Sequence, residues 1–129
     1  MNGSILLEAL LSVIILSVSL VVIIQAITSS LRATVYSTQY VEAVSEIENK
    51  MAAILETSFQ GGSVEDDAGV FENFSGRYNY TLSVADAFNG AQSRLQQIDL
   101  AVKWKSGYKN NAIESQAFIL KKEQKSDEN

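Results

Sequence analysis

The chain has 129 residues, room for one small domain once an apolar N-terminal stretch is set aside. Ten basic and 15 acidic residues give a net charge of −5, a balance that argues against a nucleic-acid partner. There is no Cys, His or Pro, which excludes disulfide staples, thiolate chemistry and the usual zinc donor sets.

The first element is an apolar run from Ile5 to Ile27, interrupted by one charge, Glu8, and one amide, Gln25. At about 1.5 Å per residue such a helix is roughly 35 Å long, enough to cross the hydrocarbon core of a bilayer with some tilt. A carboxylate in such a segment costs about 2.5–3.5 kcal/mol if placed centrally, so Glu8 calls for a reason. Ser12, Ser17 and Ser19 punctuate the run, where small hydroxyl residues permit close helix approach and bond back to their own carbonyls. The run is too long for a secretory signal peptide, and its start carries no positive charge. A plain single-pass anchor with Glu8 at headgroup level accounts for it better.

No Gly or Pro occurs from Ser4 to Gln60, so nothing in that length breaks a helix. Beyond the exit marked by Thr28-Ser29-Ser30 and Arg32, Ala33, Ser37, Tyr40, Val44, Ile47, Met51 and Ile54 recur at steps of four and three. That spacing predicts one apolar stripe, with Glu42, Glu46, Glu48, Lys50 and Glu56 mostly off it on a solvated face and a Glu46–Lys50 pair along the helix. The helix is expected to end near Ser58, before Gly61-Gly62. Glu65-Asp66-Asp67 then reads as an exposed acidic turn, to which no metal is assigned.

From Val70 the period turns to two. Tyr78 to Val84 alternates apolar and polar strictly, and so does Ile98 to Trp104, with Ile98, Leu100, Val102 and Trp104 on one side. Trp104 is expected in the core. Ala85 to Arg94 reads as a connecting loop, and Ser106-Gly107 and Asn110-Asn111 as turn residues. Ala112 to Leu120 reads as a third strand with Phe118 and Leu120 facing in, and Val70-Phe71 with Phe74 as a short edge strand. Lys121 to Asn129 is a charged tail. The expected fold class is α+β: a long N-terminal helix, transmembrane then amphipathic, packed on a small antiparallel meander. No Walker-type loop or Gly-x-Ser-x-Gly elbow occurs, and neither an enzyme nor a cofactor is expected.

Gly3-Ser4, Glu8 and the apolar run together resemble the prepilin signature of type IV pilins and type II secretion pseudopilins. The sheet ending in Val102-Lys103-Trp104, a turn and a last strand is similar to that of minor pilins and pseudopilins. The run Glu48-Asn49-Lys50-Met51 is similar to the helix of the minor pseudopilin I and of minor pilins of the PilV kind. The chain departs from the family pattern in two places. Ser4 stands where an aromatic residue is usual, and Met1-Asn2-Gly3 lacks the usual basic residues.

The resemblance implies a division into a leader at 1–3, a transmembrane helix at 4–28, a pilin-like domain at 29–122 and a disordered tail at 123–129. It implies cleavage by prepilin peptidase between Gly3 and Ser4, and pairing of Glu8 with the freed amine of a neighbouring subunit. It also implies packing of Ile5, Leu6, Leu7, Leu11, Ile14 and Ile15 within a filament. The implied partners are other pilin or pseudopilin subunits, prepilin peptidase, the inner-membrane assembly platform and membrane lipids. The implied location is the bacterial inner membrane, with the C-terminal domain outside the cytoplasm, and then the filament. The competing reading is a binding or adaptor module of the cell envelope held on a permanent anchor.

Overall fold

The unbroken helix-permissive stretch does form one helix. In the computed structural model, which describes residues 2–73, 76–87 and 94–121, α1 runs from Asn2 to Phe59. Its end is chemically defined. Gly61 takes a left-handed backbone conformation (φ 85°), its N–H reaches the Ser58 carbonyl at 3.1 Å, and the Gly62 N–H reaches the Thr57 carbonyl at 2.9 Å. That pairing is the Schellman closure, which needs a residue without Cβ strain at the left-handed position.

By contacts the chain divides into two units at Ser37/Thr38. In the first, every described side chain is exposed, the large apolar ones included. In the second, the remainder of α1 packs on a four-stranded sheet. The strands are β1 (Asp67–Asn73), β2 (Gly76–Asp86), β3 (Leu95–Ser106) and β4 (Lys109–Leu120), joined in sequence order as an antiparallel meander. The α+β layout read from the two periodicities is the layout of the structure.

The core lies between the helix and one face of the sheet. Ala43, Ile47, Met51 and Ile54 of α1 meet Tyr78 and Leu82 of β2, Ile98, Leu100, Val102 and Trp104 of β3, and Ile119 of β4. β3 contributes most because it is an interior strand whose inward positions are apolar at every second residue. Register follows from that demand: Tyr78 lies opposite Trp104, Leu82 opposite Leu100, and Val84 opposite Ile98. A slip of one residue would turn the whole set to the other face.

Four expectations change. Ala85 and Asp86 close β2, and Asn110 and Asn111 belong to β4 rather than to a turn, because Gly107 at φ 60° allows the chain to reverse in two residues. The stripe on α1 is Gln39, Ala43, Ile47, Met51 and Ile54. Tyr40 stays exposed, its ring edge against Trp104 at 6.4 Å between centroids, and Val44 is half-buried. Ala33 and Ser37 are exposed and belong to the first unit, so the sheet covers neither. The fully buried Ala43 shows why the stripe turns. A methyl takes little room in a layer to which the bulky Tyr78 and Trp104 rings already belong.

The inward pair of β4 is also reversed. Ile119 is buried, while Phe118 and Leu120 are 55% and 72% exposed. Apolar residues occupy both phases of Ala112 to Leu120, so alternation alone cannot choose between them. The two-residue turn does: Ser106 pairs with Lys109, and the register then runs without a bulge to Leu95 opposite Leu120, putting odd-numbered residues inward. Finally, the acidic run is not a free turn, because Asp67 opens β1 as the partner of Leu82. Phe74, Asn89-Gly90 and 122–129 lie outside the described residues.

Candidate functional site

The candidate site is Glu8 and the helix surface around it. α1 between Ile5 and Ile27 presents only apolar side chains, Ser, Gln25 and this carboxylate. The serines are internally satisfied. Ser12 Oγ donates to the Glu8 carbonyl at 2.9 Å, Ser17 Oγ to the Val13 carbonyl at 2.7 Å, and Ser19 Oγ to the Ile15 carbonyl at 2.8 Å. Such i−4 bonds hide hydroxyl groups that would otherwise be costly in an apolar surround. The Glu8 side chain has no partner among the described residues. Glu8 is therefore the one charge in an otherwise neutral surface.

Helical geometry sorts the residues named with Glu8. At 100° per residue, Ser4, Ser12, Ile15 and Ser19 lie within about 40° of Glu8, and Ile5 and Leu11 within about 60°. Leu7 and Ile14 flank at about 100–120°, and Leu6 lies on the far side. All six apolar residues are exposed, from Ile14 to Leu6, so none is covered by another of the described residues. Gly3 has open space where a Cβ would be built, so its environment does not demand glycine. The helix is long and apolar enough to cross a membrane.

No protein-family model, curated protein or solved structure matches this chain. The functional argument therefore rests on the residues.

In the second unit, the polar side chains that sequence reasoning assigned to a solvated face are partly engaged. Tyr78 Oη, in the core, donates to Glu42 Oε2 at 2.7 Å. Burial first, and then the Glu42 carboxylate, push the Tyr78 phenol well above its ordinary pKa, so it stays neutral. Lys50 turns to the sheet. Its Nζ lies 3.1 Å from Asp67 Oδ2 and 4.6 Å from the centre of the Tyr80 ring. Tyr80 Oη also donates to Asp67 at 3.0 Å, and its ring stacks on Phe71 at 4.6 Å.

The Lys50 hydrogen bond holds the Asp67 carboxyl below its ordinary pKa, and the Asp67 bond raises the Lys50 ammonium in turn. Gly69 sits under this cluster, where a Cβ would come within 2.6 Å of Tyr80 Oη. Asp66 Oδ1 accepts the Val84 N–H at 2.7 Å, closing the β2 edge just past the start of β1. Two of the three acids at Glu65-Asp66-Asp67 are thus committed to structure. Among the described residues no three His, Cys, Asp or Glu side chains converge. None of these cross-sheet partners is visible in a helical spacing; only the three-dimensional register places Asp67 beside Lys50.

Ser106 and Lys109 carry a Ser-x-x-Lys spacing. They are the closing pair of the β3–β4 turn, without the S-D-N and K-T-G companions that a serine acyltransferase site of that type uses. Trp104 is core, as its place in the alternation predicts, with a buried Nε1 that finds no acceptor among the described residues.

Proposed function

We propose that this chain is a minor pilin or pseudopilin, a structural subunit held in the inner membrane by the first half of α1 and recruited through that helix into a filament. The observation that carries the proposal is Glu8: one carboxylate, five residues beyond Gly3, in a helix surface otherwise free of charge from Ile5 to Ile27. A permanent anchor gains nothing from that charge, whereas a helix that leaves lipid for a bundle can use it. In the bundle Glu8 pairs with the Ser4 amine of a neighbour, exposed by cleavage after Gly3. Each charge would be costly alone in an apolar interior, and together they neutralise one another. The pair also fixes axial register, because any other offset leaves both unsatisfied.

The rest of the molecule is in keeping with this reading. A helix carried straight into a helix-on-sheet domain is the layout that the resemblance implies, and the uncommitted apolar surface offers packing area for helix neighbours. The partners are then pilin-like subunits, the prepilin peptidase, the assembly platform and membrane lipid. The test is the mature N-terminus. Intact-mass measurement on protein extracted from membranes of cells that carry a prepilin peptidase should give a chain beginning at Ser4, with or without an N-methyl group. A chain retaining Met1 to Gly3 in those cells favours the permanently anchored envelope module instead.

A further inference from the structure

Among the described residues the sheet of the second unit is open at both sides, with β1 and β4 as its edges. Which backbone groups these edges present can be worked out. The Lys121 N–H bonds the Arg94 carbonyl, and Ser106 and Lys109 close a two-residue turn, so odd-numbered residues of β4 bond to β3. The N–H and C=O groups of Ala112, Glu114, Gln116, Phe118 and Leu120 therefore point outward. The Ala87 N–H bonds the Leu95 carbonyl, which leaves even-numbered residues of β2 to pair with β1. By the same alternation Ala68, Val70 and Glu72 of β1 point their backbone groups outward.

Two of the usual edge safeguards are absent, since neither strand contains Pro and neither ladder contains a bulge. The charges in the inward phase stand at the strand starts, Asp67 on β1, held by Lys50, and Lys109 on β4, away from the Phe118 end. The outer face of the sheet is polar at its centre, where Gln97 and Gln116 donate their amides to Asp99. Its large exposed apolar residues lie on the two edge strands: Val70 on β1, Phe118 and Leu120 on β4.

We propose that β4 accepts the β1 strand of a second copy of this chain, antiparallel, extending the meander from one copy to the next. Parity allows only even-to-even pairing, and side chains choose among the allowed registers. One puts Glu114 against Glu72, two acids directly opposed, which is unfavourable. The register two residues along puts Phe118 against Val70, Leu120 against Ala68, and Gln116 against Glu72. It joins the exposed apolar residues of the two edges and sets no like charges opposite. The next register in the other direction places Phe118 against Asp66 and leaves Val70 facing Glu114.

The contact is head to tail, so it keeps successive copies in one orientation and does not close on itself. A two-fold β4–β4 contact would reverse the partner helix. The inference stands on the sheet alone and does not depend on the role given to Glu8.

The absence of Cys makes the test direct. In full-length chain extracted in mild detergent, Val70→Cys and Phe118→Cys proteins are mixed and oxidised with copper phenanthroline. A disulfide-linked dimer of the two is expected, with neither variant linking to itself. The double variant is expected to give a ladder of oligomers, because within one copy the two positions cannot join: they are three strand spacings, roughly 14 Å, apart across the sheet, and Val70 lies level with Ala112, well along β4 from Phe118. Gln116→Pro, which removes an outward N–H and leaves the β3 ladder intact, is expected to abolish the cross-link while the thermal midpoint stays near that of the parent; Ala68→Pro is the matching block on the other edge. No link between Val70→Cys and Phe118→Cys would overturn the proposal. So would self-linking of a Gln116→Cys protein, which marks the two-fold contact, or a cross-link that persists with either proline in place.

Discussion

Ile47 lies at the middle of the helix-on-sheet contact, 5% exposed and within the same core cluster as Leu100 and Val102. Replacing it with Asp removes a buried aliphatic side chain and leaves a carboxylate in its place. Loss of the side chain alone, as in Ile→Ala, costs about 2–5 kcal/mol. Burying an unpaired polar group adds about 1–3 kcal/mol, and more while it is charged. The unit from Thr38 onward has a stability of roughly 5–14 kcal/mol at the usual value per residue, so Ile47→Asp consumes most or all of it. Chemical denaturation of the full chain in detergent, followed by Trp104 fluorescence, reads the effect. Ile47→Ala should lower the midpoint clearly and Ile47→Asp should abolish the cooperative transition at pH 7. Lowering the pH should recover part of the loss, since protonation removes the charge from the apolar layer. A cooperative transition for Ile47→Asp near the parent midpoint would refute the packing argument.

Three further outcomes follow from the polar contacts. The raised Tyr78 pKa means that its contribution is complete below the ordinary tyrosine value of 10.0 and is lost as pH rises beyond it. The thermal midpoint of wild type should therefore fall above about pH 10, and Tyr78→Phe should be less stable by about 1–2 kcal/mol at neutral pH with a shallower alkaline fall. For Asp67, held low by Lys50, the contribution is present above the ordinary carboxyl value of 3.8 and lost as pH falls through the depressed value. Lys50→Met should weaken that acid dependence, the Tyr80 hydroxyl still bonding Asp67, and should change stability little at neutral pH because the pair is exposed, as double-mutant denaturation with Asp67→Asn can check. Gly69→Ala should lower stability by about 1–3 kcal/mol, because its methyl displaces the Tyr80 ring from Phe71 and Lys50; a neutral result in denaturant titration would contradict the close approach.

What was legible in the sequence was periodicity where one phase was chemically unambiguous. Ile98, Leu100, Val102 and Trp104 alternate with Asp99, Ala101 and Lys103, and every inward assignment holds. The helix end was legible because Gly61-Gly62 has a specific backbone role. Where apolar residues fill both phases, as at Phe118-Ile119-Leu120, the pattern carries no choice, and only counting from the Gly107 turn decides it. On α1 the spacing of four and three admits neighbouring stripes. Ala43 was missed because a small residue carries little hydropathy although it is fully buried. Of the candidate site, the isolation of Glu8 was legible directly, and the side chain has no partner among the described residues. The Lys50–Asp67–Tyr80 cluster was not, since residues 17 and 30 positions apart leave no local spacing to find.

The central claim is that Glu8 has a partner amine in an assembled helix bundle, and Glu8→Leu tests it most directly. In a permanent anchor the change removes an insertion cost and leaves or strengthens membrane retention. In a filament subunit it strands a neighbour's amine in an apolar interior, which costs about 3–5 kcal/mol, a factor of hundreds or more in the assembly equilibrium. Cleavage after Gly3 and folding from Thr38 onward depend on neither and should survive. The measurement is recovery of wild-type and Glu8→Leu chains with their pilin-like partners from detergent-solubilised membranes at equal expression. Loss of the variant from that complex, with its processed mass unchanged, is the predicted result; equal recovery of the two proteins would contradict the role given to Glu8.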